Sequence, residues 1–371
     1  MKIVSLFSMP KLHPRYISYI QQAFLFAIVW GMFGFIYGIL EKGILGDLNY
    51  YPATNTKYDF VSAISYATFG GFIVGWLHGL LEVGWLRNKF TQNRLWFKIV
   101  VKTLFYLLFS VVFILILSTA VNSYRLDASL TSDVVIEGVS RFFWSFSFLS
   151  VIMFVAFGLV IAMLFSELST YLGQGMFWNF LLGKYHTPNR ENRIFMFLDM
   201  ESSTSIAEKI GHAKYFRLLR RCFAEMTNPI LEASGEVYQY VGDEIVISWP
   251  LDLGAKNGNC LNCYFGIAKA LEANSTYFKK RFGVVPVFKA GVHMGVVTTG
   301  EIGVIKKEII YTGDVLNTTA RIQGQCKNYD SSLLLSESLH TFLKPEPYRF
   351  RKVAQLKLRG KQESVGLFAM Q

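Results

Sequence analysis

The sequence predicts an α-helical transmembrane bundle of four spans followed by an α+β domain of ferredoxin-like strand order. Three observations carry that expectation. Four stretches free of Asp, Glu, Lys and Arg fall within the first 166 residues. Charged residues become frequent only from about Lys184. Beyond that point, β-rich and helical patterns alternate. The 371 residues are 52% hydrophobic and only 17% charged, against roughly a quarter charged in soluble domains. Such a composition excludes a wholly soluble chain and a disordered one. Four cysteines in this length exclude a disulfide scaffold.

The uncharged stretches are Tyr16 to Leu40, Phe60 to Leu81, Thr103 to Tyr124 and Phe142 to Ser166. Each is about as long as the 20 residues a helix needs to cross the hydrocarbon core. The first is too long for a secretory signal and lacks a small-residue cleavage site, so it reads as a retained span. Lys2, Lys11 and Arg15 precede it, and Arg87, Lys89, Arg94, Lys98 and Lys102 stand between spans two and three. The other two loops hold only Lys42, Lys57, Arg125 and Arg141. The bias predicts a multi-pass protein of the inner (plasma) membrane with both termini in the cytoplasm. Part of the net charge of +11 is then a topology signal. No basic stripe argues for nucleic acid as a partner; the lipid bilayer is the expected one. His78 inside span two reads as a neutral histidine bonded to a neighbouring helix. Gly70, Gly71 and Gly75 would allow close helix packing there.

The chain is thus divided into a transmembrane domain over residues 1–166, a linker or signalling helix over 167–192 and a soluble domain over 193–371. The linker ends in a polar turn, His186 to Asn192. Ile194 to Leu198 reads as a strand ending at Asp199, after which Ser202, Ser203 and Thr204 offer helix N-caps. Ala213 to Ala233 has helical spacing. Val237 to Val241 and Glu244 to Trp249 read as strands joined by Gly242-Asp243, a two-residue hairpin signal. Asn259 to Phe282 reads as one helix, Val284 to Val297 and Glu308 to Tyr311 as strands, with Gly295 to Gly300 a turn. Asp314 to Cys326 reads as a helix. Leu333 to Leu335, Phe350 to Leu358 and Val365 to Ala369 are further strands. The early βαββαβ order is ferredoxin-like, with helices on one face.

In that order the first strand lies beside the hairpin, so Asp199 and Asp243 can converge. Paired carboxylates without His or Cys suit Mg²⁺ or Mn²⁺, hard ions that prefer oxygen. Ser202, Ser203 and Thr204 open a helix whose first N–H groups can hold phosphate. Together these point to two-metal phosphoryl chemistry. Cys260 and Cys263 form a C-x-x-C without a second ligand pair and read as reduced, buried thiols. His293 reads as a packed structural histidine.

Four segments are familiar: Phe197 to Thr204 (FLDMESST), Tyr240 to Glu244 (YVGDE), Gly291 to Gly295 (GVHMG) and Thr312 to Arg321 (TGDVLNTTAR). In this order they resemble class III adenylate/guanylate cyclases over about Arg193 to Gln371. The resemblance implies a membrane-anchored enzyme of cyclic nucleotide signalling, making 3′,5′-cyclic AMP and pyrophosphate from ATP as a homodimer. It implies two Mg²⁺ (or Mn²⁺) held by Asp199, Asp243 and the Met200 carbonyl. Asn317 and Arg321, four apart on one helix face, match a transition-state pair supplied by the opposite subunit. Lys361 resembles a lysine that grips the terminal phosphates. The purine-reading positions hold Gln239 and Ile310, which depart from the family's usual pairs. Gln239 can pair with adenine or, with its amide turned, guanine, whereas Ile310 bonds neither. ATP is favoured, with GTP or relaxed purine choice the alternative. Two other readings stand beside it: a membrane sensor whose cyclase-like half only binds nucleotide, and a small transporter with a nucleotide-binding module.

Overall fold

A computed structural model describes residues 14–51, 57–86, 89, 93–172, 183–343, 348–357 and 364–370. The chain divides into two compact units, residues 1–174 and 175–371.

The first unit is helical: α1 (Pro14–Leu45), α2 (Phe60–Leu81) continued by a π-turn (Glu82–Leu86), α3 (Leu95–Leu126), α4 (Asp133–Phe143) and α5 (Phe146–Leu172). Four of these helices are long and apolar enough to cross a membrane. Helices α1 and α2 lie against each other along a seam of small residues. A Cβ on Gly34 would stand 2.1 Å from the Ala67 carbonyl oxygen, and one on Gly79 2.5 Å from Ala23 Cα. Such backbone-to-backbone approach is how helices associate where apolar burial gives no preference for protein over lipid.

Helix α3 shows two stripes at four-residue spacing. Leu104, Leu108, Val112 and Ile116 are exposed, the surface a lipid tail would meet. Lys98, Lys102, Tyr106 and Ser110 are buried on the inner face. Lys102 pairs with Glu82 and Glu167, and Lys98 with Glu167. Here the structure corrects the sequence reading, which counted both lysines as loop charges. They belong to the span, because α3 begins at Leu95 and its inner stripe meets carboxylates on neighbouring helices. His78 lies within 3.4 Å of Ser110 Oγ on α3, the expected neighbouring-helix bond. The loop before span four also holds a helix: α4 takes up Phe142, so the apolar helix α5 starts at Phe146.

The second unit is one mixed sheet with strands β1 (Asn189–Met200), β2 (Glu236–Val241), β3 (Glu244–Pro250), β4 (Phe288–Ile302), β5 (Glu308–Thr312), β6 (Leu333–Ser336), β7 (Phe350–Lys357) and β8 (Ser364–Met370). Its order is β2-β3-β1-β4-β6-β8-β7, with β5 paired to β4. The helices are α6 (Ser203–Ile210), α7 (His212–Glu232), α8 (Leu251–Ala255), α9 (Asn259–Ala273), α10 (Ser275–Phe282), α11 (Asp314–Gly324) and α12 (Glu337–Leu343). The β2-β3-β1-β4 core is the expected ferredoxin-like arrangement.

Strand β1 is buried on both faces, which is why Ile194 to Leu198 is a continuous apolar run. Ile194, Met196 and Leu198 pack on α7 and α9. Phe195 and Phe197 pack on the opposite face with Tyr311 and Val315 of α11. Helices therefore cover both faces, not one as the early strand order suggested, because α11 follows the βαββαβ unit and closes the face it leaves bare. Several boundaries also differ: β4 begins at Phe288 rather than Val284, and α11 ends at Gly324 rather than Cys326. The expected polar turn gives Asn189 to Asn192 to β1, and Gly295 to Gly300 is strand rather than turn. These two stretches pair with each other, Asn189 opposite Thr299 and Asn192 opposite Val296, which extends both strands past their apolar runs. The helix expected over Asn259 to Phe282 breaks at Asn274 into α9 and α10.

The α1–α2 seam can be tested by volume. Gly34→Ala should cost about 1–3 kcal/mol, because backbone must part to admit the methyl group. It should lower the melting temperature of detergent-solubilised protein. Gly43→Ala, where a Cβ meets nothing within 4 Å, should not.

Candidate active site

The site grows from the end of β1. Leu198 pairs with Ile245 of β3, so Asp199 comes beside the β2–β3 turn that carries Asp243. The turn is tight because Gly242 takes φ +63°, a left-handed conformation glycine adopts without strain. Burial and the Asp243 carboxylate push the Asp199 carboxyl up to about 6. Glu244 rises to about 7, again through burial first and then the charges of Asp199 and Asp243. The Met200 N–H donates to Asp199 Oδ1 at 3.0 Å and opposes the shift. Tyr215 of α7 faces the same field, its hydroxyl held above its usual range by burial and by Asp243. Three crowded carboxylates are an energetic burden that a divalent cation would lift. Sequence reasoning passed over Glu244 and Tyr215. The acidic neighbour of Asp243 was visible, but only folding brings Tyr215 to it.

Ser202, Ser203 and Thr204 follow at once. Ser202 occupies the N-cap position of α6 but makes no side-chain cap bond, contrary to the N-cap expectation. Its φ of +56° explains this, since a capping side chain needs an extended backbone. The Ser202 carbonyl accepts from Ile206 N–H at 3.0 Å, and Glu201 N–H donates to the Val287 carbonyl at 2.9 Å. This turn is therefore anchored to the residue that leads into β4.

Asn317 and Arg321 lie on α11, away from its buried positions Val315, Thr318, Thr319 and Ile322. Two glycines of β4 set how closely α11 approaches the sheet. A Cβ on Gly291 would stand 2.3 Å from Gln323 N, and one on Gly295 2.6 Å from Val315 Cγ2. The Gly291 to Gly295 motif is thus the bed for the helix that carries Asn317 and Arg321. Among the described residues, no hydrogen bond or ion pair joins that pair to Asp199 or Asp243 within one chain.

Gln239 is exposed on β2, and Ile310 is half-buried on β5. Their neighbours Tyr238 and Tyr311 meet edge to face at 4.8 Å between centroids. The Tyr311 N–H also donates to Tyr238 Oη at 3.4 Å. The two strands therefore approach each other across the sheet. A bulge between Val237 and Gln239 shifts the β2 register there. Lys361 lies outside the described residues. His293 is buried, with Nδ1 2.8 Å from Ser336 Oγ. Cys222, Cys260, Cys263 and Cys326 are free and buried, and burial raises the Cys260 thiol to about 12. Among the described residues no group of three or more His, Cys, Asp or Glu forms a complete metal cage.

The crowding has a measurable consequence. The folded state holds the Asp199 proton more tightly than the unfolded chain, so between about pH 4 and 6 this group stabilises the fold as pH falls. At pH 7.5 its charge opposes folding. With chelator present, Asp199→Asn should stabilise the protein by about 1 kcal/mol after allowance for solvent screening. That corresponds to a melting temperature about 2–4 °C higher. The gain should shrink as pH approaches 5, and thermal melts of both forms across pH 5–8 check it.

Comparison with known proteins completes the assignment. Residues 186–371 match the family described as adenylate and guanylate cyclase catalytic domain. The chain is similar to adenylate cyclase 2 of Rhizobium meliloti (strain 1021), 35% identical over 200 residues, covering 54% of this chain and 55% of that one. An adenylate cyclase of Anabaena cylindrica is 28% identical over 181 residues, covering 47% of this chain and 35% of its own. The matches thus span about half the length of the first of these relatives and less of the second. A solved bacterial light-regulated adenylyl cyclase aligns with TM-score 0.51 at 17% identity, covering 58% of this chain and 63% of that one, a likeness of fold. The family match takes in half of the chain, including β1, the β2–β3 turn and α11, and the chain belongs to the class III adenylate and guanylate cyclase family.

Proposed function

We propose that this chain is a membrane-anchored adenylate cyclase, converting ATP to 3′,5′-cyclic AMP and pyrophosphate at sites shared between two copies. The observation that carries the reading is the convergence of Asp199 and Asp243 at one end of the sheet of a cyclase domain. The donor set is all oxygen, and the mutual repulsion of the carboxylates fits a site built for positive charge. Asp199, Asp243 and the Met200 carbonyl would hold two Mg²⁺ or Mn²⁺. Bound there, the cations would lower the pKa of the ribose 3′-hydroxyl and offset charge on the phosphates.

The chain's own residues do the positioning. The first N–H groups of α6, at Ser202, Ser203 and Thr204, receive phosphate oxygens. Lys361 grips the terminal phosphates. Arg321 of the second copy neutralises charge building on the α-phosphate, for which its planar fork is suited. Asn317 beside it orients the ribose. The 3′-oxygen gives its proton to solvent water and attacks the α-phosphorus in line, the bond to the β-phosphate oxygen breaks, and pyrophosphate leaves. Positioning and electrostatics supply most of the rate. Gln239 faces the purine edge. Relatives named adenylate cyclase support ATP, while Ile310, which offers no hydrogen bond, favours relaxed purine choice as the second reading. The four helices anchor the enzyme, with both termini on the cytoplasmic side.

Full-length protein in lipid, given ATP or GTP with Mg²⁺ or Mn²⁺, should yield cyclic AMP from ATP, identified by mass. Comparable product from GTP would establish the relaxed reading, and no product from either would refute the enzyme. Asp243→Ala and Arg321→Ala should each abolish turnover without loss of membrane insertion. Co-expressed, they should restore about a quarter of it, since half the two-fold dimers are mixed and one of their two sites is intact. Absence of restoration would sink the shared site.

A further inference from the structure

Among the described residues, four charged side chains are buried inside the membrane half, and the proposed chemistry uses none of them. Lys98 and Lys102 come from α3, Glu82 from the π-turn after α2, and Glu167 from α5. Lys102 Nζ stands 2.5 Å from Glu82 Oε1 and 2.9 Å from Glu167 Oε1. Lys98 Nζ stands 3.3 Å from Glu167 Oε2, and Tyr106 donates its hydroxyl to Glu82 Oε2 at 3.0 Å. Every carboxylate oxygen is thus engaged. Two ammonium groups face two carboxylates, so the cluster is balanced in charge. Its members are nine-tenths or more buried, at 9% exposure for Lys98, 8% for Glu167 and 1% for Glu82 and Lys102.

The placement of the cluster matters more than its stability. It ties together three of the four spans. Glu167 lies near the C-terminal end of α5, and the polypeptide leaves the last span for the catalytic half through that end. Glu82 opens a π-turn, a wider helical turn that recurs at functional positions in helices. In low dielectric an ion pair has two sharply separated states. Engaged, each charge is compensated; displaced by one helical turn, Glu167 would lose both lysines while still buried. The arrangement therefore resists small movements of α5 and yields to large ones, as a two-state element does.

We propose that this four-charge cluster is a clamp on the last span. It fixes the position of the α5 end, and through that end it sets the turnover of the catalytic half. Lys98, Lys102, Glu82 and Glu167 are positioning residues that touch no substrate. The catalytic arm of the inference rests on the cyclase reading above; the structural arm does not.

The test uses full-length protein in phospholipid nanodiscs. The four native cysteines are buried, so Leu164→Cys, at a lipid-facing position of α5 (40% exposed), can take a thiol-reactive nitroxide selectively. On that background Lys98→Met with Glu167→Gln removes one cation and one anion, keeps the charge balance, breaks both ion pairs of Glu167 and leaves Lys102 on Glu82. The expected result is a more mobile nitroxide spectrum and a kcat at least about fivefold lower, within the usual range of coupling between sites. The KM for ATP should stay within about twofold. Glu167→Asp, which keeps the charge on a shorter arm, should fall between, and it serves in place of the double variant if that one does not fold. Removing the exposed Arg141–Glu137 pair of α4 by Arg141→Gln with Glu137→Gln should change neither readout. An unchanged nitroxide spectrum overturns the clamp, and so does an unchanged kcat per folded molecule. If the parent protein makes no cyclic nucleotide from ATP or GTP, the cyclase reading fails separately, and the nitroxide spectrum alone decides whether the cluster holds α5.

Discussion

Burial of β1 on both faces is the constraint from which the catalytic half follows. A strand covered on one face can alternate apolar and polar residues, but β1 pairs with β3 on one side and β4 on the other beneath helices on both surfaces. Its interior residues must all be apolar, and its first charged side chain after them, Asp199, falls where the strand leaves the core. The β2–β3 turn is brought to the same point because β3 is the neighbour of β1. Convergence of Asp199 and Asp243 is thus a by-product of strand order. Their mutual repulsion is tolerated because packing along the rest of β1 holds the ends in place.

The same logic explains Arg193, which enters β1 one residue before its apolar run. Buried at 2% exposure, it needs compensation, and it finds it in Glu191, Glu236, Ser248 and the face of Tyr311. That set ties β1 to β2, β3 and β5, the strands that carry Gln239 and Ile310. The Tyr238–Tyr311 contact continues the tie across the sheet. Packing that holds the core together thereby also sets the spacing of the positions proposed to read the base.

The membrane half solves a different problem. Lipid tails would compete equally for apolar side chains, so hydrophobicity alone does not choose the neighbours of helices long and apolar enough to cross a membrane. Choice comes from two local features. Glycines bring α1 and α2 into backbone contact, and the inner stripe of α3 finds carboxylates on α2 and α5. The apolar outer stripe of α3 is interchangeable by comparison.

What the sequence by itself determined is what depends on composition and short-range order. Four uncharged runs specify four helices long and apolar enough to cross a membrane, because a backbone in hydrocarbon would have to be helical. Gly242-Asp243 specifies a hairpin, because only certain residues take its dihedrals. The continuous apolar run of β1 with an aspartate at its end marks the candidate site. The rest was decided by tertiary structure. Lys98 and Lys102 read as loop charges until Glu82 and Glu167, distant in sequence, arrived to pair with them. Gly295 to Gly300 read as a turn because its glycines carry no apolar signal, yet pairing with β1 makes it strand and Gly295 admits α11. The second helical face, the crowding of Asp199, Asp243 and Glu244, and the approach of Tyr215 all depend on contacts between segments far apart in the chain. A linear pattern records a residue's own preference, whereas its charge state and partners are set by whichever chain segment folds against it.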